Sequence, residues 1–282
     1  MSARIVITGA AGLVGRVLAG QAAQQSRDVV TLTSAQWDIT DPAAGASVVR
    51  AGDVVVNCAA YTKVDAAEAD PDRAHLVNAV GAGNVAQVCA RAGAALIHLS
   101  TDYVFDGALR RPYDIDDATG PLSVYGRTKL AGEQAVHAAL PDATVVRTAW
   151  IYEGRDGSDF AAAMRRAALG DGTVDVVADQ IGSPTYVGDL CAALLQIADG
   201  VRAPLLHAAN VGAVSRFDQA QAVFAELGAD PARVRPVGSD EHPRPAPRPA
   251  YSALAAEKSA AAGLTPLRPW REAVTAALAA TL

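Results

Sequence analysis

A short β-branched run, a glycine-spaced turn and a helical stretch open the chain: Arg4-Ile5-Val6-Ile7-Thr8, then Gly9-Ala10-Ala11-Gly12-Leu13-Val14-Gly15, then residues 16–25. No other feature restricts the possible folds as much. An unbroken apolar, β-branched run suits a strand buried on both faces. A turn with a glycine at every third position lets backbone approach backbone or ligand closely. Gly9 permits the tight turn. Gly12 admits an anion to the unpaired N–H groups at the helix N-terminus, and Gly15 lets helix and strand pack. The spacing is G-x-x-G-x-x-G rather than G-x-G-x-x-G, and such a turn can also be purely structural. On the nucleotide reading, Gly9, Gly12, Leu13, Val14 and Gly15 face the phosphates of a dinucleotide.

Strands and helices then alternate. Residues 28–33 and 53–57 read as strands, 74–92 as a long helix with small and apolar positions every three or four residues, and 94–100 as a fourth strand. A helix is expected over 124–140 and a strand over 144–148. This βαβ alternation predicts an α/β fold, a Rossmann-type doubly wound parallel sheet with helices on both faces. Past Trp150 the pattern loosens. Residues 160–169 and 187–198 look helical, as do the closing segments 252–262 and 269–280. The expected organisation is a dinucleotide-binding domain over 1–150, to which the chain returns around 187–212, and a smaller C-terminal substrate-binding lobe over 151–282. Between Arg233 and Pro249 proline and arginine recur too often for a regular helix. That stretch is either a stiff surface linker or a loop that carries guanidinium groups to an anionic ligand.

Composition narrows the classes. The chain of 282 residues is 51% hydrophobic, enough for a sizeable core without disulfides. A net charge of −6 argues against a protein whose work is neutralising nucleic-acid phosphates. Cys58, Cys89 and Cys191 are widely spaced and fit no metal pattern, which suits core thiols in a reducing compartment. Neither a signal peptide nor a membrane span is expected, so the cytoplasm is the expected location.

Tyr125 and Lys129 stand four residues apart in the segment 123–133, on one face of the expected helix. An ammonium close to a phenol lowers its pKa and makes it a usable acid. An isolated pair of this spacing is more often a surface pair, but here it follows a dinucleotide-type N-terminus. Ser100 and Thr101 end the fourth expected strand, where doubly wound sheets bind ligands. Each is a candidate catalytic hydroxyl, or else a cap for local backbone.

Several segments together carry a family resemblance: the glycine turn, Asn57-Cys-Ala-Ala-Tyr-Thr-Lys-Val-Asp-Ala-Ala-Glu68, Ser100-Thr-Asp-Tyr-Val-Phe-Asp-Gly107 and Tyr125-Gly-Arg-Thr-Lys-Leu-Ala-Gly-Glu133. Residues 147–152, 179–185 and 248–252 add to it. The chain resembles, over essentially its whole length, the dTDP-4-dehydrorhamnose reductases of the extended short-chain dehydrogenase/reductase superfamily. The Tyr/Lys element marks the superfamily; the segments at 59–65 and 100–107 are much narrower. The resemblance implies reduction of the C4 keto group of a dTDP-4-keto-6-deoxysugar by NADPH, with NADH possible. Tyr125 would be the proton donor, Lys129 the partner of the nicotinamide ribose, and Thr101 the catalytic hydroxyl. Ala59, Ala60 and Tyr61 would line the cofactor. Thr62 and Val64 would approach the reaction centre, and Thr101, Asp102, Tyr103 and Trp150 would meet the substrate. Asp38 and Ile39 would contact the adenosine half, although Asp38 reads equally as a turn cap before Asp41-Pro42. Arg244 and Arg248 are the candidates for the substrate pyrophosphate. No acidic residue ends the second strand to repel a 2′-phosphate, and Arg16 is placed to meet one. The chain departs from the family pattern at Asp159 and Tyr251, where Asn is commoner. No acidic cluster suggests a metal, so none is expected. A monomer or homodimer is expected. Two rival classes share these features: another nucleotide-sugar ketoreductase or epimerase, and a non-catalytic regulatory relative of the same fold.

Overall fold

A computed structural model describes residues 3–155 and 157–279; the expected helix end at Ala280 lies outside them. Five parallel strands, β1 (Ile5–Thr8), β2 (Val29–Leu32), β3 (Val54–Asn57), β4 (Ala95–Thr101) and β5 (Thr144–Thr148), form one sheet with the late strand Leu205–His207. Their order is Leu205–His207, β5, β4, β3, β1, β2, and every pairing is parallel. The expected doubly wound sheet is therefore present. Alternation along each strand feeds two cores. Ile5, Ile7, Val54 and Val56 face the helices Leu13–Gln24 and Val187–Ala198. Val6, Val55, Leu96 and Val145 face Ala82–Ala92 and Val124–Ala139 on the other side. A sheet so covered has no wet face, which is why its strands read as continuous apolar runs.

Sequence order reverses beside β1: β2 lies on one side and β3 on the other. Because all strands run the same way, Thr8, Asn57, Thr101 and Thr148 end them at the same edge. The crevice at that edge is where such sheets receive ligands.

Some boundaries differ from expectation. The first helix starts at Leu13, earlier than residue 16, because Gly12 is its cap. The expected helix 74–92 is interrupted by a π-helical segment, Leu76–Gly81, between Pro71–His75 and Ala82–Ala92. Of the expected helix 252–262 only Glu257–Ala261 is helical. Upstream of it, the backbone is drawn into extended pairing instead: Ser252 N–H donates to the Ile181 carbonyl, and Tyr113 N–H to the Ala253 carbonyl. The proline- and arginine-rich stretch starts as a strand, Val234–Val237, parallel to Val174–Val177. Beyond the sheet, Met164, Val176, Val223, Phe224, Val234 and Val274 make a separate apolar cluster. The helix Arg216–Glu226, which contributes Val223 and Phe224, had no counterpart in the sequence reading.

Candidate active site

A cleft of about 800 Å³ opens along the strand ends. Gly9, Gly12, Leu13, Val14 and Gly15 line one stretch of it. Gly9 has φ +62°, and a Cβ there would lie 2.7 Å from Ala59 N. A Cβ on Gly15 would lie 2.6 Å from the Gly9 carbonyl oxygen. Gly12 brings no side-chain cap, so the first N–H groups of the helix stay free to meet an anion. Asp38 and Ile39 line the same cleft farther along, beside Arg73. Asp38 also makes the turn that its sequence allowed, accepting from Thr40 N at 3.0 Å and Thr40 Oγ1 at 2.8 Å. These bonds, with Arg73 nearby, hold its carboxyl below the usual range. Arg16 instead pairs with Glu153 at 2.9 Å.

A buried polar ladder fixes the opposite wall. Thr8 Oγ1 donates to Asn57 Oδ1 at 2.6 Å, and Asn57 Nδ2 donates to His98 Nδ1 at 3.0 Å, across three adjacent strands. The same Asn57 oxygen accepts from Ala59 N at 3.2 Å. Asn78, on the π-helical segment, clamps Tyr61 from both sides of its peptide and bonds Thr128 of the Tyr125 helix. Ala59, Ala60, Tyr61, Thr62 and Val64 thus reach the cleft on a segment tied down at its backbone. The Asn78 clamp had no clear sequence signal, because its partners lie 17 and 50 residues away.

Thr101, Asp102, Tyr103, Tyr125 and Trp150 gather at the far end. Ser123 caps the helix Val124–Ala139 through Gly126 N. Gly126 packs so closely on Tyr103 that a Cβ would lie 2.2 Å from its carbonyl oxygen. The Tyr103 and Tyr125 rings meet edge to face at 5.9 Å. Burial pushes the Tyr125 phenol above its ordinary pKa, and the Thr101 side chain pulls it back. The expected lowering by Lys129 is not a cause here. Lys129 lies beneath the cleft, and its Nζ donates to the Leu99 carbonyl at 2.6 Å. Burial brings the Lys129 pKa down to about 8, against the opposing pull of Glu133. Thr101 Oγ1 donates to Asp102 Oδ1 at 3.0 Å and accepts from Tyr103 N at 3.2 Å, so it does cap local backbone. Ser100 donates to Glu133 Oε1 at 2.5 Å, and Arg147 grips both oxygens of that carboxylate. Asp102 is buried, which raises its carboxyl to about 6, and Ser252 Oγ donates to it at 2.6 Å.

The two arginines singled out in the sequence do not line the cleft themselves, although the Arg248 side chain reaches that of Tyr103, which does. Arg244 and Arg248 both bind Asp65, at 2.9 and 2.5 Å, and hold its carboxyl down to about 2. Two other arginines, Arg73 and Arg216, line the cleft. Neither sits in a motif, so nothing in the sequence marked them.

A doubly wound sheet with a glycine turn at its switch point and a buried hydroxyl–phenol–amine set at the next strand end defines a dinucleotide-dependent enzyme of the short-chain dehydrogenase/reductase kind. The chain belongs to the RmlD substrate binding domain family, whose model matches residues 3–282. It is 66% identical to a dTDP-4-dehydrorhamnose reductase of Mycolicibacterium smegmatis, over 100% of this chain and 87% of that protein. It is 62% identical to the enzyme of that name from Mycobacterium tuberculosis, over 99% and 93%. The crystal structure of dTDP-4-dehydrorhamnose reductase from Bacillus anthracis, in complex with NADP, superposes with a TM-score of 0.94 at 35% identity and covers 100% of both chains.

Proposed function

We propose that the chain uses NADPH to reduce the C4 keto group of dTDP-4-dehydro-L-rhamnose to the alcohol, giving dTDP-L-rhamnose. The observation that carries this reading is the Thr101–Tyr125 pair, set at the end of β4 in the same cleft as the glycine turn. Family membership along the whole chain supports the same activity.

The residues present fit the coenzyme. Gly9–Gly15 offers free N–H groups to its pyrophosphate, Asp38 and Ile39 stand where its adenosine would lie, and no acid at the end of β2 opposes a 2′-phosphate. Bound NADPH supplies the hydride. Tyr125 holds the proton that the C4 oxygen takes up. A buried phenol keeps that proton until negative charge develops on the oxygen beside it, so it serves as an acid. Thr101 adjoins the same oxygen. Lys129, as an ammonium, would hold the nicotinamide ribose. Ala59, Ala60 and Tyr61 flank the coenzyme, and Thr62, Val64, Asp102, Tyr103 and Trp150 surround the sugar. Residues 1–150 with the return at 187–212 would hold the coenzyme, and residues 151–282 would supply most of the substrate lobe. The protein works in the cytoplasm as a monomer or homodimer, with no nucleic-acid or membrane partner. Among the described residues no helix is long and apolar enough to cross a membrane.

The test is NADPH consumption with dTDP-4-dehydro-L-rhamnose beside other dTDP-4-keto sugars. Turnover with that substrate and formation of dTDP-L-rhamnose are expected. Turnover confined to another keto sugar would reassign the substrate. Sugar interconversion with tightly retained NAD and no added coenzyme would make the protein an epimerase.

A further inference from the structure

Arg216 opens the helix Arg216–Glu226 and lines the cleft at the Asp102–Tyr103 end. Its guanidinium carbon lies 3.5 Å from the Trp150 ring centroid and 4.8 Å from that of Phe160. A planar cation stacked on aromatic faces keeps its edges for hydrogen bonding. One of its N–H groups, on Nη1, donates to Gln219 Oε1 at 3.2 Å. No carboxylate among the described residues pairs with it. Tyr103 and then Asp102 act on its charge, and Asp102 has one oxygen taken by Thr101 and the other by Ser252. Trp150 adopts φ +46°, and its ring lies where a Cβ on Gly182 would come within 2.4 Å.

We infer that Arg216 receives the diphosphate of the sugar nucleotide. This rests on the reading of the chain as a dTDP-sugar reductase and names the residue that anchors that substrate. The ligand brings negative charge to a protein of net charge −6, so a placed cation must reverse the local field. The coenzyme's own pyrophosphate would be met by the uncapped backbone N–H groups of the glycine turn. Of the two cations in the wall, Arg73 stands beside Asp38 at the adenosine end, which leaves Arg216 at the substrate end. Arg244 and Arg248 share Asp65, which cancels one of their two charges, and neither lines the cleft. A guanidinium matches phosphate oxygens with a fork of N–H groups, and holding it between rings beforehand reduces the ordering lost on binding.

The experiment titrates dTDP, thymidine and NADPH into wild type, Arg216→Met and Arg216→Lys by calorimetry, with turnover of the keto sugar measured in parallel. Methionine keeps an apolar stem but loses charge and donors; lysine keeps the charge. Arg216→Met is expected to weaken dTDP by roughly 10–100-fold, with thymidine and NADPH unchanged. Arg216→Lys should recover part of the loss, and wild-type affinity for dTDP should fall more with salt than that of the methionine variant. Unchanged dTDP affinity with a lower kcat would overturn the proposal and make Arg216 a support for Trp150. Parallel loss of dTDP and NADPH would overturn it in favour of a structural role. If the methionine variant does not fold, the lysine variant decides alone, because dTDP affinity equal to wild type and independent of salt would refute the anchor. Wild type that neither binds dTDP nor turns over any dTDP-sugar would instead refute the functional reading beneath it.

Discussion

Replacing Arg147 by Met should destabilise the protein more than any single change to its surface ion pairs. Arg147 donates from Nε and Nη2 to the two Glu133 oxygens at 2.9 and 2.7 Å, and the two side chains are only 5% and 7% exposed. Arg147 also lies over the Phe105 ring at 5.0 Å. Methionine fills much of the volume of the stem but leaves the Glu133 carboxylate buried, with the Ser100 hydroxyl as its remaining strong donor. Breaking one side of such a pair costs about 3–5 kcal/mol, because the orphaned charge has lost its compensation. For a chain of this size that corresponds to a fall in Tm of roughly 6–20 °C. Adding Glu133→Gln removes the orphaned charge, so the double variant should recover at least about 2 kcal/mol relative to Arg147→Met. Urea titration of the four proteins of the cycle, followed by both fluorescence and circular dichroism, gives the coupling. A single-variant loss below about 1 kcal/mol, or a double variant no better than the sum of the singles, would refute the argument that the pair is a mutually dependent buried unit.

Tyr125→Phe should lower kcat by roughly 10²–10⁴ while NADPH still binds; retention of half the wild-type turnover, with chemistry rate-limiting, would remove Tyr125 as the acid. Burial lowers the Lys129 pKa from its ordinary value to about 8, so the ammonium is present below that pH and lost above it. The turnover profile should therefore fall on its alkaline side near that value, and a flat profile to about pH 10 would show that the charge is not needed. The Asp65 carboxyl, held down to about 2 by Arg248 and Arg244, favours the fold once it ionises in the unfolded chain and loses that contribution as pH falls towards 2. Asp65→Asn should flatten the acid limb of stability measured by thermal melts, and an unchanged limb would mean that the pair adds nothing. Gly9→Ala puts a Cβ 2.7 Å from Ala59 N at φ +62°, so the KM for NADPH should rise by at least about tenfold, and an unaltered KM would contradict the turn's assigned role.

The sheet was legible because its strands are buried on both faces and its glycine turn is local. Ile5–Thr8, Val54–Asn57 and Thr144–Thr148 are short β-branched runs that need no distant partner to be recognised. The segment 252–256 was misread as helix because Ala253, Ala255 and Ala256 favour one, whereas its conformation is set by Tyr113 and Ile181, far away in the chain. The same limit applied to charge. Sequence shows that Arg244 and Arg248 are flanked by proline, but not that Asp65, far away in the chain, meets both. It shows Tyr125 and Lys129 on one helix face, but not that the amine would also donate to the Leu99 carbonyl. Nothing local in the sequence sets Arg216 apart, because the aromatic partners that hold it come from positions 150 and 160.

The strand Leu205–His207 lies beside β5 and closes that side of the main sheet, although residues 149–204, with other structure, separate the two in sequence. A chain cut after β5 would leave that strand's backbone N–H and C=O groups bare, an open template for pairing with another molecule. No single junction can therefore graft the later lobe of one relative onto the sheet of another, since the transplanted piece must also bring back a matching edge strand. New substrate preferences in proteins of this build should arise by changes of individual residues at the cleft, such as positions 150 and 216, more readily than by exchange of whole modules.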